Sequence, residues 1–142
     1  MDAIKVLDNA IAQISALQNT SIYQPDDVAR YGNNIKGIAL NALKQINASQ
    51  TTKQNLYSIS FSSSYTSGIS HKAFGIEGMR SGLIETYLTG LKAVVSLLKQ
   101  ERDILAENIN NDRQIKALKH SRIAITVSII SLIVSILVAL FN

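Results

Sequence analysis

IAITVSIISLIVSILVALF, from Ile123 to Phe141, runs for nineteen residues without a charge, a proline or a glycine. At about 1.5 Å of rise per residue, a helix of that length spans roughly 28 Å, close to the ~30 Å hydrocarbon core of a bilayer. A helix buried at the end of a soluble bundle would keep a polar stripe for solvent. Here the only polar residues are Thr126, Ser128, Ser131 and Ser135. Their hydroxyls can bond back to the carbonyl four residues earlier and so be accommodated in lipid. The stretch reads as a membrane span, and the rest of the chain as what that span carries.

Charge gives the span a direction. Arg113, Lys116, Lys119 and Arg122 precede it with no acid after Asp112, and Asn142 alone follows it. Residues 1–112 hold ten basic and ten acidic side chains, so the whole formal charge of +4 sits in the pre-membrane segment. Basic flanks stay on the cytoplasmic side and meet anionic lipid headgroups there. The expected topology is single-pass in the inner (plasma) membrane, with a cytoplasmic N-terminal domain and a tail anchor. Met1–Leu17 is interrupted by Asp2, Lys5, Asp8 and Asn9, so no apolar signal core is expected there.

Texture gives the span a second property. Ala124, Ser128, Ser131, Ser135 and Ala139 are spaced 4, 3, 4 and 4, which puts all five on one helical face opposite Ile, Leu and Val. Small and hydroxyl residues on one stripe let helices approach closely in lipid and hydrogen-bond across the contact. Self-association into a homo-oligomer is the expectation. The competing reading is ordinary span composition, since Ser and Ala are frequent in membrane helices.

Upstream, the pattern is all-α. Ile4, Leu7, Ile11, Ile14 and Leu17 recur at helical spacing and predict a first helix over Asp2–Gln18. Pro25-Asp26-Asp27 signals a second helix running to about Asn47, with Val28, Tyr31, Ile35, Ile38, Ala42 and Ile46 on one side. Gly32 and Gly37 weaken that helix and are expected to permit close packing. Residues 48–58 are polar, with room for one short helix ending at Leu56 and Tyr57. Ser58–Gly68 reads as a Ser-rich loop pinned by apolar side chains, because nothing else in the chain can pair with a strand there.

From about Ser70 a long helix follows, in which Ile84, Leu88, Leu91, Val95, Leu98, Leu105 and Ile109 keep a 3-4 heptad rhythm broken only by Arg102. Asn108–Asp112 is the poorest helical segment and the expected hinge. The organisation is therefore a helical bundle over 1–107, a hinge and basic juxtamembrane segment over 108–122, and a transmembrane helix over 123–141.

Candidates for chemistry are few. Phe74–Gly82 is glycine-rich but lacks the Lys-Ser/Thr ending and the spacing of a phosphate loop, and Gly75, Gly78, Gly82 and Gly90 suit one packed helix face instead. Ser70-His71-Lys72 has no neighbouring acid to orient the histidine. His120 stands alone in the basic flank, and Glu77 and Glu85, or Glu101 and Glu107, have no histidine at metal spacing. The absence of cysteine from the chain removes thiol catalysis, thiolate metal sites and disulfides. The balanced charge of residues 1–112 offers no broad basic surface for nucleic acid. The expectation is a non-enzyme with no catalytic residue, metal or cofactor, whose partners are membrane lipids, further copies of itself, and a protein partner through the bundle.

Three features together resemble a known module: the aromatic-led helix Tyr31–Ile46, then Leu56–Phe61 with its Ile59-Ser60-Phe61 turn, then Phe74-Gly75-Ile76-Glu77 opening a long helix. Over residues 1–105 the chain resembles the small all-helical module that precedes effector domains in bacterial anti-phage proteins, TIR-like ones among them. It departs from them in carrying a membrane span where the enzymatic domain would stand. The resemblance implies that the span acts as the effector. The functional expectation is a self-associating, membrane-perturbing effector in anti-phage defence; the alternative is an anchored adaptor that recruits a partner to the inner membrane.

Overall fold

Asp2 opens the first helix by capping it, its Oδ1 accepting the Ile4 amide at 3.1 Å in the computed structural model of the chain. The structure describes residues 2–61 and 69–141, the side chains of 69–74, 76 and 135–141 excepted. Its elements are α1 (Ala3–Ala16), a 3-10 turn (Leu17–Asn19), α2 (Pro25–Gln45), α3 (Gln50–Ser58) and α4 (Ile69–Phe141). Among the described residues there is no strand, and the all-α class expected from the sequence holds. The chain forms two compact units, Met1–Leu105 and Ala106–Asn142.

In the first unit, the stripes read from the sequence largely face inward. Leu7 and Ile14 of α1, Val28, Ile35, Ala39 and Leu43 of α2, and Leu56 of α3 are buried together with α4. On α4 the buried face is rotated from the heptad expected. Leu91 and Leu98 of that heptad are buried, but they share the face with Leu83, Tyr87 and Val94, whereas Ile84, Leu88, Val95 and Leu105 pack along its margin. Arg102, which breaks the heptad, reaches α1, with its Nε 2.8 Å from Asp8 Oδ1. Both partners are about half exposed, so the pair orients α1 on α4 more than it stabilises them.

Two aromatic residues join the helices. Phe61, just past α3, lies between two glycines: a Cβ on Gly32 of α2 would overlap its ring, and one on Gly90 of α4 would come within 2.6 Å of its Cε1. Tyr87 packs beside it, with ring centroids 6.3 Å apart, and meets Tyr31 edge-on at 6.4 Å. The buried Tyr87 hydroxyl donates to the Leu17 carbonyl at 2.9 Å, the same oxygen that accepts from Thr20 Oγ1 at 2.7 Å. Burial raises the Tyr87 pKa above the usual tyrosine value, Thr20 partly opposes the shift, and Tyr31 adds to it.

Among the described residues Asp27 is the buried charge. One of its oxygens accepts the Tyr23 and Gln24 amides at 3.1 and 3.2 Å, and the other meets Arg30 at 2.9 Å. A residue read only as a helix-start signal thus satisfies two orphan amides of the α2 N-terminus. Across the same corner Arg80 of α4 donates to the Ile22 carbonyl at 3.2 Å and stacks on Tyr23 at 4.6 Å.

Several expectations are corrected. Gly75 does not share a packed helical face with Gly78, Gly82 and Gly90; its φ of 67° and ψ of −179° break α4, a conformation open to glycine and closed to most residues. Among the described residues nothing packs against Gly37: a Cβ there would meet no atom within 4 Å. It therefore lowers helix stability by about 0.5–1 kcal/mol relative to alanine without any packing gain inside this chain. Asn108–Asp112, where the hinge is expected, is helical, and the two units divide close by, between Leu105 and Ala106. The expected Ser-rich loop is described only as far as Phe61, and its remainder, Ser62–Gly68, lies outside the described residues.

Candidate functional site

The second unit is the C-terminal part of α4, and it holds every site residue expected from the sequence. Arg113, Lys116, Lys119 and Arg122 are all exposed on the helix. Each lies three residues after the last, so at about 100° per residue they step back by about 60° each time. The four charges consequently wind around half of the circumference. Such a winding suits a helix that passes through a headgroup layer; a helix lying flat on it would gather its charges on one face. Ile115 and Leu118, between the charges, are 52% and 63% exposed, so both are available to the same layer.

By length and composition α4 is long and apolar enough to cross a membrane, and none of its 18-residue apolar window is covered by the described chain. Ile123, Ile125, Val127, Ile129, Ile130, Leu132, Ile133 and Val134 are each more than half exposed. In water that would be a large unpaired apolar surface; in hydrocarbon it is the ordinary state of a span. The hydroxyls behave as lipid requires. Thr126 Oγ1 donates to the Arg122 carbonyl at 2.9 Å and Ser128 Oγ to the Ala124 carbonyl at 2.9 Å.

The small residues leave a mark on the surface. Ser121, Ala124 and Ser128 line an open groove of about 420 Å³, walled by Ile125, Ile129 and Leu132. Ser131 continues the same face one turn on, while the side chains of Ser135 and Ala139 lie outside the described residues. Ser121 belongs to this face by spacing, three residues before Ala124, and only its place beside Arg122 hides it from a reading that begins at the first apolar residue. The groove provides a strip where another helix can approach the backbone closely, with hydroxyls at hand for interhelical hydrogen bonds.

The remaining sequence candidates come to little. The side chains of Ser70, His71 and Lys72 lie outside the described residues, and His120 is exposed on the helix among the basic residues. Among the described residues, no three side chains of metal-binding type converge. No protein-family model matches the chain, and neither a curated protein nor a solved structure does.

Proposed function

We propose that this chain is a membrane effector of bacterial anti-phage defence: a cytoplasmic helical bundle that receives a trigger, on a single inner-membrane span that assembles with copies of itself and perturbs the bilayer. The observation that carries the reading is the one-sided groove of Ser121, Ala124 and Ser128, continued by Ser131, on an otherwise bulky apolar helix. An anchor needs only hydrophobicity, whereas assembly needs a face on which backbones can meet. The basic flank supports the orientation, with the bundle inside and Asn142 outside. The resemblance of residues 1–105 to the module that precedes anti-phage effectors supports the setting.

The test replaces Ser128, Ser131 and Ser135 with Leu. Insertion stays favourable, but the groove is filled and interhelical hydrogen bonds worth about 0.6–2 kcal/mol each are removed. The matched control is Ile123→Leu, Ile130→Leu and Ile133→Leu, which reshapes the other face. Loss of cross-linked oligomers and of depolarisation in the serine variant alone is the expected result. An anchored adaptor tolerates both sets. If the serine variant still assembles and depolarises cells, the proposal fails.

A further inference from the structure

We propose that the groove between α1 and α2 binds an extended, uncharged peptide segment of a partner protein, with Gly37 as the point of closest backbone approach. This inference stands on the bundle alone and does not depend on whether the span assembles. The groove encloses about 590 Å³. Six carboxamides line it: Asn9 and Gln13 from α1, and Asn33, Asn34, Asn41 and Gln45 from α2. Its floor is apolar, formed by Val6, Ala10, Ile38 and Ala42. No hydrogen bond ties any of the six side-chain amides to another described residue of the chain.

The lining selects its ligand by exclusion and by match. Among the described residues no acidic, basic or aromatic side chain lines the groove. A phosphate, carboxylate or ammonium group would enter without a counter-charge, which disfavours charged ligands. Nucleobases are held by stacking on aromatic or guanidinium faces, and none is offered. A primary carboxamide presents a donor and an acceptor side by side, the same pair a peptide group presents. A docked helix has already satisfied its own amides and carbonyls and gains little from such walls. An extended segment has not, and its small side chains can rest on the floor. The α2 wall from Asn33 to Gln45 is about 18 Å long, room for about five residues at 3.3 Å each.

Gly37 is the second observation, independent of the amides. It lies mid-helix in α2, lines the groove, and lowers helix stability, yet neither its backbone conformation nor any neighbour among the described residues requires a glycine. A bare position facing an amide-walled groove is what a foreign backbone needs in order to seat against the helix.

The test uses the full chain in nanodiscs of phosphatidylethanolamine and phosphatidylglycerol, and a phage-displayed random heptapeptide library counter-selected on empty discs. Enriched heptapeptides are synthesised with acetylated and amidated ends. The proposal expects them to lack Lys, Arg, Asp and Glu, and to bind at least tenfold more weakly to Gly37→Leu, whose melting temperature stays at or above that of the parent. N-methylation of the central peptide amides should weaken binding by a similar factor. If Gly37→Leu lowers the melting temperature, the exposed pair Asn34→Ala and Asn41→Ala carries the same expectation. No enrichment over empty discs, equal binding by the filled variant, or indifference to backbone methylation would overturn the proposal. So would a change in oligomer size on filling the groove with peptide binding unchanged, because a second copy would then be the occupant.

Discussion

Seating Phe61 between Gly32 and Gly90 makes a prediction about sign as well as size. Gly32→Ala on its own should gain about 1 kcal/mol of helix propensity. Its new Cβ would fall on the root of the Phe61 side chain, at Cβ and Cγ, where no rotamer change moves the obstacle away. Overpacking of this kind costs about 1–3 kcal/mol, so the net effect is a loss of about 1 kcal/mol. At Gly90 the added Cβ meets one side of the ring, Cε1, Cδ1 and Cζ, and not the Cβ or Cγ, so a ring shift can relieve it and Gly90→Ala should cost less than Gly32→Ala. Phe61→Ala, at a site 7% exposed, should cost about 3–5 kcal/mol, tolerable within the usual 5–15 kcal/mol of a domain. In that background the overlaps with Cγ and Cδ1 are gone while the contact with the Cβ at 2.6 Å remains, so Gly32→Ala should cost about 1 kcal/mol less than in the parent, a coupling of that size between the two positions. Urea unfolding of the full chain in nanodiscs, followed by circular dichroism, closes the cycle, with Gly37→Ala as the control that stabilises in both backgrounds. Additivity of Gly32→Ala and Phe61→Ala within about 0.5 kcal/mol would refute the packing argument.

The raised pKa of Tyr87 fixes a direction with pH. A phenol that ionises later folded than unfolded leaves its contribution intact below pH 10, the unfolded value, and loses it as pH climbs past 10 toward the folded value, so unfolding midpoints between pH 9 and 11 should fall more steeply in the parent than in Tyr87→Phe. At neutral pH the same substitution should cost about 1 kcal/mol for the lost bond to Leu17, and an unchanged midpoint would show that Thr20 satisfies that carbonyl alone. Neutralising Arg113, Lys116, Lys119 and Arg122 together removes about 1 kcal/mol per charge of attraction to an anionic surface, and terminal reporter fusions should show scrambled orientation with insertion kept. Lost insertion with orientation unchanged would count against the basic flank as the topological signal.

What was legible in the sequence followed from periodicity, and what was not followed from contacts between distant residues. Leu7, Ile14, Val28 and Ile35 were readable as core because each repeats at helical spacing within one element, and all four are buried. The buried face of α4 was displaced because Tyr87 and Gly90 do not score as heptad positions. Their burial depends on the Leu17 carbonyl and on the Phe61 ring, and those come from elsewhere in the chain. Arg102 looked like an interruption for the same reason, since the acid that meets it is Asp8 on α1. Gly75 was assigned by spacing to a packed face, and spacing cannot report a positive φ.

The two candidate sites differ in legibility for a related reason. The span declares itself by composition: nineteen uncharged residues are unusual wherever they occur, and one stripe of small residues is visible by counting. The carboxamide groove has no compositional signature, because Asn and Gln at exposed helical positions are what any solvated face carries. Only the pairing of α1 with α2 brings Asn9 and Gln13 opposite Asn34 and Asn41. Gly37 was the available signal, and it was assigned to packing because a helical glycine in a bundle usually serves that end. Among the described residues nothing lies within 4 Å of a Cβ placed there, which is why the proposed groove is centred on this position. If the groove on α1 and α2 receives the proposed trigger and the apolar end of α4 assembles as proposed, binding at one should alter assembly at the other. Cross-linking of the span with and without a selected heptapeptide measures that coupling directly: a changed oligomer yield would join the two sites into one mechanism, and an unchanged yield would leave the groove to an adaptor.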